Sequence, residues 1–155
     1  MPESRKQKKW PHRPKSLESL RAIVDEVRAE LRKRRSLGAK ALADEIAPSE
    51  ARTHSVYVVE LDRAVLDERS YAEESPRARD DRPCLYVGMT CLSAEERFEQ
   101  HRTGEHASKY VKRYGLRLRP EFYERLNPMT RRQAERTERA LAKLLKREGY
   151  AAWQR

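Results

Sequence analysis

Apolar residues recur along the chain in two different patterns. Between Leu17 and Leu31 they return every three or four positions, which predicts an amphipathic helix that begins at Ser16. Residues 56–61 and 84–88 are short runs rich in β-branched and aromatic side chains, which predict two strands. The chain therefore changes from helical to strand character near residue 54.

Two capping boxes mark the starts of later helices. At 93–96 and 130–133, a serine or threonine stands three residues before a glutamate or glutamine. In this arrangement each side chain accepts a hydrogen bond from a backbone N–H that the helix leaves free. The first box predicts a helix over 93–103, and the second predicts a long helix that ends at Gly149.

Weaker signals complete the pattern and give the fold class. They predict a short helix over 106–114, a third strand within 116–126 and a short last strand over 150–153. The charge-dense residues 62–82 predict a surface insertion with a short helical turn. This order of elements predicts an α+β fold, with helices lying over a small sheet.

The domain organisation follows from these boundaries. Residues 1–15 are basic and aperiodic, which predicts a disordered arm that either contacts nucleic acid or only aids solubility. Residues 16–50 form a helical extension, and 54–155 form the main domain. The apolar stripe of the extension must pack either on that domain or on a second copy, which would make a homodimer.

The charge balance indicates a polyanionic partner. Lys and Arg total 35 against 25 for Asp and Glu, so the formal net charge is +10. Cations close to a phosphate backbone release condensed counterions, which favours nucleic-acid binding. No apolar run approaches the ~20 residues that cross a bilayer, and the first residues do not resemble a signal peptide. We therefore expect a cytoplasmic protein without a membrane partner.

Three polar residues stand where predicted helices face the core. Arg97 and His101 are four apart in the helix over 93–103 and so share a face. Glu138 lies within the apolar stripe of the long helix, where a carboxylate is costly unless it is paired or binds a metal. The alternatives are an exposed Arg and His pair, and a structural ion pair between Glu138 and Arg97.

Two tyrosines occupy the middles of the predicted strands. Tyr57 and Tyr86 would ordinarily be packing residues, because aromatic side chains favour half-buried strands. Tyr86, however, is followed by Gly88, and a glycine within a strand allows close approach of a ligand or a neighbouring chain. Both tyrosines are therefore candidate site residues.

Together these residues resemble the GIY-YIG nuclease superfamily over about two thirds of the chain, residues 54–155. The matching motifs, in order, are Val56-Tyr57-Val58, Leu85-Tyr86-Val87-Gly88-Met89-Thr90, Arg97 with His101, the basic stretch Lys109 to Gly115, and Ala134 with Glu138 ahead of Gly149-Tyr150. Each motif is short, but five in the family's order are fairly specific. The sequence departs from the family at Ser55, at Met89, in the long 62–82 loop, and in lacking an asparagine after the glutamate helix.

The resemblance implies a three-stranded antiparallel sheet flanked by helices and a nuclease activity that hydrolyses phosphodiester bonds. DNA is the expected substrate, and RNA stays open as an alternative. The resemblance also implies that Glu138 holds one Mg²⁺ or Mn²⁺ ion and that Arg97 binds the phosphate. Either Tyr57 or Tyr86 would be the general base, with His101 assisting. The basic residues that would bind flanking phosphates are Lys109, Lys112 and Arg113.

Other functions remain compatible with the sequence. A nuclease-like fold can bind nucleic acid without cutting it, and Met89 and the missing asparagine favour that alternative. A zinc site that uses Cys84, Cys91, His101 or His106 has no usual ligand spacing. A structural or ribosome-associated role would need no divalent metal.

Overall fold

The computed structural model of the chain describes residues 25–29 and 51–154. Its four strands are β1 (Ser55–Leu61), β2 (Cys84–Thr90), β3 (Gly115–Leu118) and β4 (Ala151–Gln154). The four helices of residues 51–154 are α1 (Arg69–Glu73), α2 (Ala94–Thr103), α3 (Lys109–Tyr114) and α4 (Arg131–Arg147). This is the expected α+β architecture, a sheet flanked by helices.

The strands form one mixed sheet in the order β3-β1-β2-β4. β1 pairs antiparallel with both β2 and β3, and β4 pairs parallel with β2, so that Trp153 lies opposite Tyr86. The three-stranded antiparallel sheet that the resemblance implies is therefore wrong in strand number and in direction, whereas the short last strand predicted over 150–153 is confirmed as β4. The parallel pair arises because the chain between β2 and β4 passes through helices before it returns to the sheet.

Some predicted boundaries shift for local reasons. The third strand covers only Gly115–Leu118, because Pro120 then begins the 3₁₀ turn Pro120–Phe122. Helix α3 begins at Lys109, three residues later than predicted. Both predicted capping boxes are present, at the starts of α2 and α4.

The 62–82 segment contributes to the core as well as to the surface. It contains the predicted helical turn, as the 3₁₀ turn Arg63–Asp67 followed by α1. Tyr71 of α1 is fully buried, however, and its hydroxyl lies 2.8 Å from the Leu85 carbonyl oxygen and 3.0 Å from that of Ala151. The segment therefore stabilises the junction of β2 and β4, and the predicted surface insertion also contributes to the core.

The described part of the N-terminal extension packs on the domain. Residues 25–29 are helical, and the side chain of Val27 is fully buried in the core cluster. Glu26 forms an ion pair with Arg147, and the Arg28 guanidinium donates to the backbone carbonyl of Arg125. The apolar stripe was predicted to pack on the domain or on a second copy of the chain, and residues 25–29 pack on the domain. The remainder of 16–50 and the 1–15 arm lie outside the described residues.

Helix α4 packs across β1, β2 and β4 and carries the predicted buried stripe. Ala134, Leu141 and Leu145 are inaccessible, and Glu138 among them is only 7% exposed. The inward position predicted for Glu138 is therefore confirmed. In the described part of the chain, no helix combines the length and the apolar character needed to cross a membrane.

Candidate active site

The two strand tyrosines share one face of the sheet with His101. Tyr57 lies opposite Gly88 in the β1–β2 register, and Tyr86 is two residues before Gly88, so both side chains project to the same side. Helix α2 places His101 over this face, where its Nε2 atom lies 2.7 Å from the Tyr57 hydroxyl oxygen. Tyr57, Tyr86 and His101 are all at most 3% exposed. Tyr57 and His101, which are 44 positions apart in the sequence, therefore meet in one buried cluster.

A backbone contact fixes the tautomer of His101. The Ser108 N–H donates to its Nδ1 atom at 2.9 Å, so Nδ1 is an acceptor and carries no proton. The neutral ring must then carry its proton on Nε2, and Nε2–H donates to the Tyr57 oxygen. His101 therefore cannot accept a proton from Tyr57 in this arrangement, and its role is to orient that tyrosine.

Tyr57 connects this histidine to the other two predicted site residues. Its hydroxyl lies close enough to the side chains of Arg97 and Tyr86 for both to affect its pKa. Burial raises the pKa of Tyr57 well above its usual value, the neighbouring Tyr86 raises it further, and Arg97 opposes both. Tyr57 therefore keeps its proton at neutral pH.

Arg97 is held in place by the loop that follows α2. Its guanidinium donates to Gln100 Oε1 at 3.0 Å and to the His106 backbone carbonyl at 2.9 Å. His106 has a φ of 45°, in the left-handed region that few residues other than glycine adopt, and Gly104 nearby has a φ of 93°. This turn directs one backbone carbonyl toward Arg97 while a residue two positions later supplies the N–H that binds His101.

An open cavity of about 330 Å³ lies beside the cluster. It is lined by Tyr86, Arg97, Gly104, His106, Ala107, Ser108 and Trp153. Two predicted site residues, Tyr86 and Arg97, thus face the same space, and the hydrogen bond between Tyr57 and His101 lies behind them. A ligand in this cavity would meet a phenol and a guanidinium together, which suits a phosphate group.

Gly88 is required by the position of Tyr57. A Cβ atom at residue 88 would lie 2.6 Å from the Tyr57 Cζ and hydroxyl oxygen atoms, well inside van der Waals contact. The ring cannot easily move away, because Tyr57 is 1% exposed and bonded to His101. Gly88 of the second motif is therefore required because any larger residue would clash with Tyr57 of the first motif.

We expect Gly88→Ala to lower the free energy of unfolding by about 1–3 kcal/mol, the usual cost of an overpacked core. Urea unfolding followed by circular dichroism measures this cost. The matched control is the same substitution made in a Tyr57→Ala background, where the clashing ring is absent. An equal cost in both backgrounds would show that the ring is not the cause.

The predicted phosphate-binding cations lie on the exposed side of α3 and differ in their surroundings. Lys112 lies over Gly104, since its Nζ atom is 2.8 Å from where a Cβ of that glycine would be, so it stands at the cavity rim. Lys109 lies 4.7 Å from the centre of the Tyr110 ring. Arg113 forms an ion pair with Glu68 at 3.0 Å, so part of its charge is compensated. Nucleic-acid contact by these three residues stays a prediction.

Glu138 is the acidic candidate for a metal ligand. Its carboxylate is buried on α4, where burial is costly unless a hydrogen bond or a cation compensates the charge. Within the described residues, no group of three or more His, Cys, Asp or Glu side chains is placed to enclose a metal ion. A single carboxylate fits Mg²⁺ nevertheless, because that ion takes most of its ligands from water and substrate phosphates.

The two cysteines have different environments. Burial raises the pKa of the Cys84 thiol to about 11, which leaves it protonated and a poor metal ligand. Cys91, in contrast, is exposed.

Several residues of the site were missed in the sequence. Ser108 and His106 act through backbone atoms, whose direction has no residue-type signal, and Gln100 resembles any exposed helix residue. Trp153 was predicted only as the end of the short last strand, although it lines the cavity. A tryptophan in a predicted strand directly after the glutamate helix was the one usable signal.

Comparison with known proteins adds no family assignment. No protein-family model matches the chain, and no curated protein or solved structure shows significant similarity to it.

Proposed function

We propose that the protein is a divalent-metal-dependent endonuclease of the GIY-YIG type, which hydrolyses phosphodiester bonds in DNA rather than RNA. The observation that carries this proposal is the shared cavity of Tyr86 and Arg97, with the Tyr57–His101 hydrogen bond of 2.7 Å behind it. The net charge of +10 supports a polyanionic substrate.

Arg97 stabilises the charge that develops on the phosphate. Its guanidinium is half-buried and is held by Gln100 and the His106 carbonyl, so it is oriented before substrate arrives. A preorganised cation loses little energy to reorganisation when charge moves to the phosphate oxygens during attack. Arg97 therefore favours the transition state over the ground state.

Tyr86 is the tyrosine that orients the attacking water and takes its proton. It lines the cavity, whereas Tyr57 is not among the lining residues and keeps its own proton because burial raises its pKa. A hydrogen bond from the Tyr57 hydroxyl to the Tyr86 oxygen would stabilise the phenolate form that a general base requires. Tyr57 and His101 are then positioning residues, linked through the fixed tautomer of the histidine.

Glu138 would hold the divalent ion through one carboxylate oxygen, with water and substrate as the other ligands. When bound, such an ion supplies charge neutralisation for the phosphate and the leaving oxygen. The chain itself contributes the carboxylate of Glu138. This residue is 7% exposed and lies on the sheet-facing side of α4.

The proposal is tested by cleavage of labelled single strands, duplexes, flaps and RNA in Mg²⁺ and in Mn²⁺. The wild type should cut at least one DNA substrate, and Arg97→Ala should reduce the single-turnover rate about 10²-fold. Arg102→Ala is the matched control, because Arg102 is an exposed cation on the same helix that contacts the Phe98 ring. An equal loss in both variants would assign the effect to general charge.

The test also separates the binding-only alternative. Met89, where several family members carry lysine, is half-buried near the end of β2, the strand that also carries Tyr86. If the wild type binds nucleic acid and cuts none of these substrates in either metal, the protein is a binding module on a nuclease-like fold.

A further inference from the structure

Trp153 is an aromatic side chain that the proposed chemistry does not use. It lies opposite Tyr86 in the parallel β4–β2 pair and lines the same cavity. Its side chain is only partly buried, unlike the tyrosines beside it. Phosphate binding and water activation need no indole at this place, so the residue calls for a separate explanation.

The indole is held rigidly from within the protein. The Tyr71 ring lies nearly parallel to it, with centres 6.3 Å apart and planes 19° apart. The Tyr110 ring packs against it edge to face at 4.8 Å. Both tyrosines are buried, and the Tyr71 hydroxyl is bonded to the backbone of β2. Trp153 therefore presents a fixed aromatic surface to the cavity.

The other groups around the cavity suit a nucleotide. The seven described residues that line it include the cation Arg97 and contain no carboxylate, and Lys112 stands at the rim beside Gly104. The cavity volume of about 330 Å³ is at the low end of small-molecule sites, so the cavity is too small for stacked base pairs. An aromatic surface beside cations is the arrangement by which proteins bind single-stranded nucleic acid.

We infer that Trp153 stacks on an unpaired base next to the bond that is cut, so the substrate is single-stranded or contains unpaired nucleotides. The inference rests on the proposed function, because it assigns the substrate class of the same site. A base inside a duplex is stacked on its neighbours and cannot reach Trp153 without leaving the helix. The aromatic cluster of Tyr71 and Tyr110 keeps the indole in place for this contact.

Tryptophan fluorescence tests the contact without any cleavage. The chain has two tryptophans, Trp10 and Trp153, so the Trp10→Phe variant reports on Trp153 alone. The full chain is titrated, in buffer without divalent ions, with a labelled single-stranded oligonucleotide and with the matching duplex, while anisotropy records binding. The single strand should quench the emission, and the duplex should bind without quenching.

A pair of variants measures the size of the effect. Trp153→Leu should weaken single-strand binding about tenfold, since stacking on one aromatic is lost, and change duplex binding less than about twofold. Trp153→Phe keeps an aromatic surface and should retain most of the affinity. Equal weakening for both nucleic acids would overturn the inference, and the quenching experiment in the unaltered site does not depend on how these variants fold.

The outcomes distinguish this inference from the proposed function. Cleavage or binding without quenching, or equal quenching by duplex, would overturn the role of Trp153 and leave the nuclease proposal standing. Failure of any nucleic acid to bind would overturn both. If only single strands quench the emission and neither metal supports cleavage, the preference for unpaired nucleotides is supported and the proposed nuclease activity is contradicted.

Discussion

Replacing Glu138 with glutamine should reduce the single-turnover cleavage rate at least about 10³-fold, because the metal ion it would hold supplies several kcal/mol of charge stabilisation. The substitution keeps the size of the side chain and removes its negative charge. Glu138 is 7% exposed within the apolar face of α4, so the neutral amide should not lower stability through lost packing. The rate is measured at saturating substrate across a Mg²⁺ titration.

Glu135→Gln is the matched control for this result. Glu135 lies three residues earlier on the same helix, where its carboxylate is partly exposed and pairs with Arg131 at 3.3 Å. Its substitution removes the same charge from α4 and should leave the rate within about twofold. A Glu138→Gln variant that retains the wild-type rate and Mg²⁺ dependence would place the metal elsewhere.

The second large effect is expected at Tyr86. Tyr86→Phe should lower the cleavage rate by about 10²–10⁴-fold, the range for loss of a general base. Tyr57→Phe should have a smaller effect, because Tyr57 holds its proton and acts through Tyr86. Both substitutions remove one hydroxyl from a buried ring, so each controls for the other in packing.

A pH profile distinguishes the two roles. Burial raises the pKa of Tyr57, so this residue stays protonated throughout the neutral range and does not itself titrate there. The rise of the rate with pH should therefore persist in Tyr57→Phe and disappear from the residual activity of Tyr86→Phe. The reverse pattern would make Tyr57 the base, with its proton lost only when substrate and metal bind.

Local signals in the sequence predicted the elements that depend on neighbouring residues. The capping boxes at Ser93 and Thr130 placed two helix starts correctly, because each box is complete within four residues. Gly104 and Gly149 adopt positive φ angles where the helices were expected to end. The inward position of Glu138 followed from helix periodicity alone.

Features that depend on distant parts of the chain were missed. The parallel pairing of β4 with β2 joins Ala151 to Cys84, and a four-residue strand carries no local mark of its partner or direction. The core position of Tyr71 was hidden within a charge-dense segment. Asn127 was missed because its partner is distant in the sequence. Its side chain forms hydrogen bonds with both the N–H and the carbonyl of Val56, as a neighbouring strand would.

The candidate site was predictable as a set of side chains and not as an arrangement. Tyr57, Tyr86, Arg97 and His101 were found by type and order, and the described structure places these four in one cluster. The sequence could not show which tyrosine lines the cavity, because the loop after α2 forms part of that cavity. The Ser108 N–H of the same loop fixes the tautomer of His101. No residue pattern encodes the direction of that N–H.

The most direct test of the central claim is removal and return of the metal during cleavage by the wild-type chain. A labelled single-stranded DNA is incubated with protein in excess, first with EDTA and then after addition of excess Mg²⁺ or Mn²⁺. Metal-dependent hydrolysis predicts no cleavage in EDTA and full recovery of the rate when either ion is restored. Cleavage that continues unchanged in EDTA would contradict a metal-dependent nuclease, and so would a substrate that remains bound and intact with both ions present.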